Sequence, residues 1–307
     1  MGEDNIKVSI ICNAYNHEDY IKHALDGFVS QKTNFKFEIL VHDDASTDNT
    51  PNIIREYEKK YPNLIFPIYQ TENQYSKNPK LIFDIQVSRV RGQYIALCEG
   101  DDFWTDPYKL QKQFNALENN NNIDICATGY KLVEPDTYKF ISSKSLSANA
   151  KLFTIEDVIL GGGGFVGTPT LFYRAAVEKN RMRFFNNLHY DYSLQISGAL
   201  KGGILYLPDC TACVTVFSKN SWTSRMAQNP DKKIKFNKKV IEMLRQFDED
   251  TNFKYHDTVE MAINREIYDS QAIKKDYKGM MENPYYKYIG FKHRIRPFIR
   301  RYFKIEI

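Results

Sequence analysis

The stretch YIALCEGDDFWTDP, residues Tyr94–Pro107, decides the fold. Its first part, Tyr94–Cys98, is a short apolar run with a polar boundary, which is typical of a buried β-strand. The acidic segment Glu99–Asp102 follows, and Asp106 before Pro107 is a common helix start with the aspartate as N-cap. A buried strand, a polar turn and a helix in succession indicate an open α/β sheet, which binds ligands at the carboxyl ends of its strands.

The residues before this stretch repeat the same pattern. Apolar runs that predict strands lie at Lys7–Cys12, Phe37–Val41 and Leu64–Tyr69. Helical spacing or helix-start signals occur at Asp19–Val29, Thr50–Lys60 and Leu81–Val90. The alternation predicts right-handed βαβ units in a Rossmann-like, mostly parallel sheet flanked by helices. The polar clusters that follow three of the strands are therefore expected at one edge of the sheet.

The second half of the chain gives a weaker pattern. Strands are predicted at Ile123–Ala127, Leu171–Tyr173, Ile204–Leu207 and Ala212–Phe217, and helices at Tyr192–Leu200, Lys232–Phe247 and His256–Lys275. The polar segment Glu134–Ala148 predicts a loop, and Gly161–Gly164 a hinge. Thr154 and Asp157 resemble a capping box before a short helix. We therefore predict a large α/β domain over residues 1–226 and a helical extension over 227–307.

The composition is that of a folded protein, with 42% hydrophobic and 26% charged residues in a chain of 307. The net charge of +4 gives no reason to expect a nucleic-acid partner. We see no signal segment and no membrane-spanning apolar run, so the cytoplasm is the expected compartment. Cys12, Cys98 and Cys126 lie in apolar runs and are expected to be buried thiols. Cys210 and Cys213 form a lone C-x-x-C pair without the four ligands of a structural zinc site, so they are also expected to be ordinary buried cysteines.

The segment Tyr285–Ile307 interleaves aromatic and basic residues. This pattern is typical of segments that lie on anionic membrane surfaces, and it also fits a segment that packs one face on its own domain. A peripheral position on the inner face of the cell membrane is one expectation from this tail.

The acids of Glu99–Asp102 are too many for helix capping alone. Carboxylates so close together repel each other unless a cation neutralises them, and oxygen ligands suit Mg²⁺ or Mn²⁺. The second acidic turn, Asp43–Asp48, fits an ordinary turn before the Thr50 helix. Asp44, at the end of a strand, could instead accept a hydrogen bond from a nucleotide base.

Three motifs together resemble glycosyltransferase family 2, the inverting class with the GT-A fold. They are Val8–Asn16, Val41–Asp48 and Glu99–Trp104, and their order and spacing match the family over about Lys7–Arg225. The resemblance implies a GT-A fold with a nucleotide-sugar half over about 1–106 and an acceptor half over about 107–226. It also implies a metal-dependent transferase that uses Mn²⁺ or Mg²⁺.

The resemblance assigns roles residue by residue. Asn13 and Tyr15 fall where the family contacts the uridine, and Asp44 where an aspartate binds the uracil. Asp101 and Asp102 match the D-x-D-type site for metal and diphosphate. Glu99 stands where the family has an aspartate, which leaves its direct role open.

The resemblance also assigns residues to the part of the site that binds the acceptor. Asp191 matches the catalytic base, although an aspartate at this place could also simply cap a helix. Ser218–Arg225, with Trp222 and Arg225, resembles the closing segment near the active site. The Q-x-x-R-W motif and the membrane spans of processive synthases are missing, which predicts the addition of a single sugar.

The resulting hypothesis is a transferase that moves one hexosyl or N-acetylhexosaminyl group from a UDP-sugar to a glycan or lipid-linked acceptor in bacterial surface polysaccharide synthesis. A sugar nucleotidyltransferase would carry a glycine- and arginine-rich loop after the first strand, and a dinucleotide-dependent oxidoreductase a G-x-G-x-x-G motif. The loop here, Asn13–His17, contains no glycine. A non-catalytic nucleotide- or carbohydrate-binding module remains the alternative from another class.

Overall fold

A computed structural model describes residues 6–187, 191–218, 221–290 and 294. Its strands are β1 (Ile6–Ala14), β2 (Lys36–Asp43), β3 (Ile65–Tyr69), β4 (Tyr94–Leu97), β5 (Phe103–Trp104), β6 (Ile125–Val133), β7 (Phe140–Lys144), β8 (Lys151–Phe153), β9 (Phe172–Arg174) and β10 (Ile204–Thr215). Its helices are α1 (Ile21–Val29), α2 (Thr50–Lys60), α3 (Gln74–Lys77), α4 (Pro79–Ser88), α5 (Lys109–Glu118), α6 (Ile155–Gly161), α7 (Ala176–Lys179), α8 (Arg183–Asn187), α9 (Asp191–Ala199), α10 (Trp222–Gln228), α11 (Pro230–Asp250), α12 (His256–Ile273) and α13 (Tyr277–Glu282). Two 3₁₀ turns lie at Thr168–Thr170 and Pro284–Lys287.

The strands form one mixed sheet in the order β3-β2-β1-β4-β9-β6-β10-β5, with β7 on β6 and β8 on β10. The pairings β3-β2-β1-β4 are parallel, as the βαβ pattern predicts. Beyond β4 the sheet is mixed, because β9 pairs antiparallel with both β4 and β6, while β6 and β10 are parallel. The architecture is thus the predicted α/β class, with its parallel part confined to the first half of the chain and one β6–β10 pair.

Apolar residues fill both faces of the parallel strands. Val8, Ile10 and Ile39 are fully buried, and Leu25 and Phe28 of α1 belong to the same core. Burial on both faces explains why these strands read as continuous apolar runs rather than as alternating patterns. The strong apolar stripe of α1 lies against the sheet for the same reason.

The chain divides into two units. The first comprises residues 1–158, 163–181 and 189–221 and contains the sheet. The second comprises residues 159–162, 182–188 and 222–307, and its described part is helical. In the second unit, Asn237 of α11 donates to the Ser270 hydroxyl of α12 at 3.2 Å, and Phe184 of α8 packs on Phe247 of α11 with ring centroids 5.1 Å apart.

Several predicted elements differ in the structure. The helix expected to start at Asp106 begins at Lys109, because the Asp106 carboxylate accepts from the Tyr108 amide at 2.8 Å and forms a turn instead. The predicted loop Glu134–Ala148 contains β7, which antiparallel pairing with β6 stabilises. The two strands predicted within 204–217 form one strand, β10, with irregular register near Cys210.

Other predictions concern single residues and the tail. Cys12, Cys98, Cys126 and Cys213 are buried, whereas Cys210 is exposed at the irregular part of β10, contrary to the prediction. The capping box is confirmed, since the Thr154 amide donates to Asp157 at 2.9 Å and the Asp157 amide donates to the Thr154 hydroxyl at 3.2 Å. Most of the basic and aromatic tail lies outside the described residues. Within the described part of the chain, no helix has the length and apolar character needed to cross a bilayer.

Candidate active site

Three polar segments meet at the carboxyl edge of the parallel strands. The Asp44 amide donates to the Ala14 carbonyl at 2.9 Å, which joins the ends of β2 and β1. The Gly100 amide donates to the Asn13 carbonyl at 2.9 Å, which joins the turn after β4 to β1. The parallel register therefore brings together the polar clusters that the sequence places after these strands.

Asp44 is buried at this edge, with 2% of its surface exposed. One carboxylate oxygen accepts from the Gln74 amide at 2.7 Å and the other from the Tyr75 amide at 3.0 Å. These bonds tie the end of β2 to the first turn of α3. Each carboxylate oxygen can accept a further bond, so the predicted contact of Asp44 with a nucleotide base stays a prediction.

The loops after β1 and β2 bind each other through side chains. The Asn16 amide donates to the Ser46 hydroxyl at 2.9 Å, and the Thr47 amide donates to the Asn16 side-chain oxygen at 2.8 Å. Asn16 adopts a φ of 55°, which an asparagine tolerates better than most residues. The adjacent Tyr15 is half-buried and forms no side-chain hydrogen bond with a described residue. This leaves its hydroxyl available to a ligand of the site.

Asn13 and Glu99 connect β1 to the acidic turn. The Asn13 side-chain nitrogen donates to Glu99 Oε1 at 3.4 Å. Its oxygen, Oδ1, is buried and has no hydrogen-bond partner among the described residues. Buried polar atoms in proteins nearly always have a partner, so this acceptor indicates that a donor from a ligand or from water reaches it.

The acids after β4 share one small volume. Burial and the charges of Asp101 and Asp191 raise the pKa of Glu99 to about 8. Burial and the charges of Asp101, Glu99 and Asp191 hold the pKa of Asp102 well above its ordinary value, although the Thr215 amide opposes this shift. Burial and like charges thus both disfavour the charged forms of Glu99 and Asp102.

The end of β10 supplies two donors to these acids. The Thr215 amide donates to Asp102 Oδ1 at 3.0 Å, and the Ser218 hydroxyl donates to Asp101 Oδ2 at 2.8 Å. The resemblance places Ser218 at the start of the closing segment, whereas the sequence assigned no role to Thr215. The available signal was only that a predicted strand ends in polar residues near position 217.

Asp191 is the first residue of α9 and reaches the same site, since its charge contributes to the raised pKa of Glu99 and of Asp102. Its carboxylate accepts a hydrogen bond from the Thr168 hydroxyl. Burial raises the pKa of Asp191, and the Thr168 hydrogen bond counteracts part of that effect. A buried carboxylate with a raised pKa is a candidate for proton transfer, and the predicted role of Asp191 as base stays a prediction.

The remaining candidates lie in the second unit. Trp222 begins α10 and packs its ring 4.9 Å from that of Phe236, and Arg225 is in the last turn of the same helix. Their predicted part in closing the site stays a prediction.

The described residues contain no group of three His, Cys, Asp or Glu side chains arranged to hold a metal ion. The assignment of Asp101 and Asp102 as metal ligands, a set of two carboxylates, stays a prediction. This number fits Mg²⁺, which proteins commonly hold through one or two carboxylates while substrate phosphates complete its coordination.

This chain is similar in sequence to several known proteins. It is 37% identical over 217 residues to an uncharacterized protein of Mycobacterium tuberculosis, which covers 71% of this chain and 61% of that protein. It is 32% identical over 183 residues to the poly(ribitol-phosphate) beta-glucosyltransferase of Bacillus spizizenii, covering 58% of this chain and 27% of that enzyme. The chain thus spans less than two thirds of the length of these relatives.

The fold is similar to that of residues 1–349 of Staphylococcus aureus TarS, solved in complex with UDP-GlcNAc. The TM-score is 0.64 at 18% identity, over 96% of this chain and 79% of that one. The model of the family described as "Glycosyl transferase family 2" matches residues 9–180, which is more than half of the chain. The matched residues include the ends of β1, β2 and β4, and this chain belongs to glycosyltransferase family 2.

Proposed function

We propose that this chain transfers one sugar from a UDP-sugar to a hydroxyl group of a glycan or lipid-linked acceptor in surface polysaccharide synthesis, with inversion at the anomeric carbon. The observation that carries the proposal is the convergence of the loops after β1, β2 and β4, which backbone hydrogen bonds from Asp44 to Ala14 and from Gly100 to Asn13 hold together at one sheet edge. The relative from Bacillus spizizenii is named a poly(ribitol-phosphate) beta-glucosyltransferase, which supports sugar transfer to a polymeric acceptor.

The proposed binding site for the nucleotide-sugar donor is formed by the three loops at the sheet edge. Asn13 has a buried acceptor without a partner, and Tyr15 has a hydroxyl without a described partner. Both stand where the family contacts uridine, and the buried Asp44 stands where it contacts uracil. The TarS structure was solved with UDP-GlcNAc, which supports a uridine nucleotide as the donor's leaving group.

Asp101 and Asp102 would hold Mg²⁺ or Mn²⁺, and the ion would act as a Lewis acid on the diphosphate leaving group. Ser218 and Thr215 orient these two carboxylates through one hydrogen bond each. Glu99 accepts a hydrogen bond from the Asn13 side chain. With its raised pKa, Glu99 is substantially protonated near neutral pH until a cation lowers that pKa.

Asp191 acts as the general base. A bond forms between the acceptor oxygen and the anomeric carbon while the bond from that carbon to the diphosphate oxygen breaks. The acceptor's hydroxyl proton passes to the Asp191 carboxylate, and the electron pair of the broken bond leaves with the nucleoside diphosphate. A single displacement of this kind inverts the anomeric configuration.

The proposal is tested with a panel of UDP-glucose, UDP-GlcNAc, UDP-galactose and GDP-mannose, with and without a mixture of glycan and lipid-linked acceptors. Nucleotide release is measured in Mn²⁺ or in EDTA. We expect release from at least one UDP-sugar that requires the metal and is lost in Asp102→Ala and Asp191→Asn. If UDP binds the wild-type protein but no donor is turned over with any acceptor, the protein is a binding module rather than a transferase.

A further inference from the structure

A row of two buried polar side chains, Lys109 and Gln113, lies on α5. Lys109 is fully buried, and its ammonium group donates to Gln113 Oε1 at 2.6 Å and lies 4.3 Å from the centroid of the Trp104 ring. Gln113 is also fully buried. Burying an ammonium group and an amide costs free energy unless their hydrogen bonds are satisfied, so this row needs an explanation beyond packing.

The row ends on the 3₁₀ turn Thr168–Thr170. The Gln113 side-chain nitrogen donates to the Thr170 carbonyl at 2.8 Å, and the Trp104 indole nitrogen donates to the Pro169 carbonyl at 2.8 Å. Two consecutive carbonyl groups of the turn are thus held by two buried side chains. The row and the turn both belong to the first unit.

The turn carries one side chain into the candidate active site. Thr168 donates its hydroxyl to Asp191 Oδ2. This bond fixes the orientation of the carboxylate and leaves Oδ1 as the oxygen that is not engaged by Thr168. It also favours the charged form of a carboxylate whose pKa burial raises.

We infer that Thr168 is a positioning residue for Asp191, and that Trp104 and Gln113, the latter held by Lys109, keep the turn in place. The inference rests on the proposed role of Asp191 as the base. It adds residues for which no role follows from the sequence motifs, and it explains why α5 buries a lysine and a glutamine where apolar side chains would pack at least as well.

The first experiment compares Thr168→Val, which keeps the shape and removes the hydroxyl, with Thr168→Ser, which keeps the hydroxyl. UDP release from UDP-GlcNAc, or from the panel donor that releases most nucleotide, is measured as a function of pH. We expect Thr168→Val to lower kcat on the order of 10- to 100-fold with little change in the donor KM. The acidic limb of the pH profile of kcat should move to higher pH in Thr168→Val, because the pKa of Asp191 rises further without this hydrogen bond. Thr168→Ser should retain most of the activity and the wild-type limb.

The variant Asp191→Asn distinguishes a failure of the positioning role of Thr168 from a failure of the base role of Asp191. If Asp191→Asn is inactive while Thr168→Val keeps the wild-type kcat and pH profile, the positioning role is wrong and the proposed function stands. If Asp191→Asn keeps the wild-type kcat, the base assignment itself is wrong.

A second experiment does not depend on turnover. The double variant Lys109→Met with Gln113→Met removes both buried polar groups without leaving one of them unpaired, and Asn115→Ala on the exposed face of α5 is its control. We expect crystal structures to show, only in the double variant, a displaced turn and a broken hydrogen bond between Thr168 and Asp191. An unchanged turn in a folded double variant would overturn the role of the buried row.

Discussion

Two acidic loops lie at the carboxyl edge of the sheet, one on each side of the end of β1, and the carboxylates of Asp44 and Asp48 are hydrogen-bonded differently from those of Glu99, Asp101 and Asp102. After β2, Asp44 and Asp48 each engage both oxygens with backbone amides. After β4, Glu99, Asp101 and Asp102 each accept a single hydrogen bond from the described residues. Their mutual repulsion also appears in the raised pKa values of Glu99 and Asp102.

The two loops are similar in composition, but their acids differ in what they do. Backbone amides stabilise the charges of Asp44 and Asp48, so these two acids hold the chain in place, whereas burial raises the pKa of the neighbouring Asp43. In the second loop, burial and mutual repulsion destabilise the charged forms of Glu99 and Asp102, which raises their pKa values and lowers stability when these groups ionise. Sites that bind or react commonly carry such a cost.

The largest expected contrast is between Asp102→Asn and Asp44→Asn. Asp102→Asn keeps an oxygen for the Thr215 amide and removes a charge from the repelling group. We therefore expect metal-dependent nucleotide release to fall by about 100-fold or more, while the free energy of unfolding stays equal or rises. Asp44→Asn places an amide nitrogen against a backbone amide, so we expect a loss of about 1–3 kcal/mol of stability. The release assay measures the loss of activity, and urea denaturation without metal measures the change in the free energy of unfolding.

Asp136→Asn, which changes an exposed acid outside both loops, is the control for the change of net charge. The comparison fails if Asp102→Asn destabilises the metal-free protein as much as Asp44→Asn does.

A second contrast concerns pH. The pKa of Glu99 is about 8 in the folded protein and near its ordinary value of 4.5 in the unfolded chain. The folded state therefore binds more protons than the unfolded state between these values, and stability falls as pH rises through this range. In EDTA, we expect the melting temperature of the wild type to drop between pH 5 and 8, and that of Glu99→Gln to drop less. Saturating Mn²⁺ should reduce the difference between the two proteins. If the melting temperatures of wild type and Glu99→Gln fall equally with pH in EDTA, the raised pKa does not belong to Glu99.

Much of the site could be predicted because its signals are local. The ends of β1, β2 and β4 follow from apolar runs that stop at polar residues, and parallel pairing places such ends together. Asp191 opens α9, one residue before the predicted start of that helix. Thr50 and Thr154 likewise mark helix starts through local chemistry.

The features that the sequence did not predict depend on contacts between distant segments of the chain. The two amides that hold Asp44 lie 30 and 31 residues further along the chain, and Thr215 lies 113 residues from Asp102. Strand β7 was missed because its sequence FISSK has no clear alternation, and pairing with β6 decides its conformation. The buried Lys109 was missed because a lysine near a helix start normally indicates an exposed face.

The smallest contrast concerns the backbone of the two loops. Ala45 adopts a φ of 62°, where an alanine is strained and a glycine is not. Gly100 has the opposite requirement, because an added Cβ would lie 2.8 Å from His17 Nδ1 and 3.1 Å from the Ala14 Cβ. We expect Ala45→Gly to raise the free energy of unfolding by about 0.5–1 kcal/mol and Gly100→Ala to lower it by about 1–3 kcal/mol. Urea denaturation of both variants measures the two signs, and equal signs would show that the loops do not differ in this respect. If Gly100→Ala also weakens UDP binding while Ala45→Gly leaves it unchanged, the close approach of the turn after β4 to β1 shapes the donor site as well as the fold.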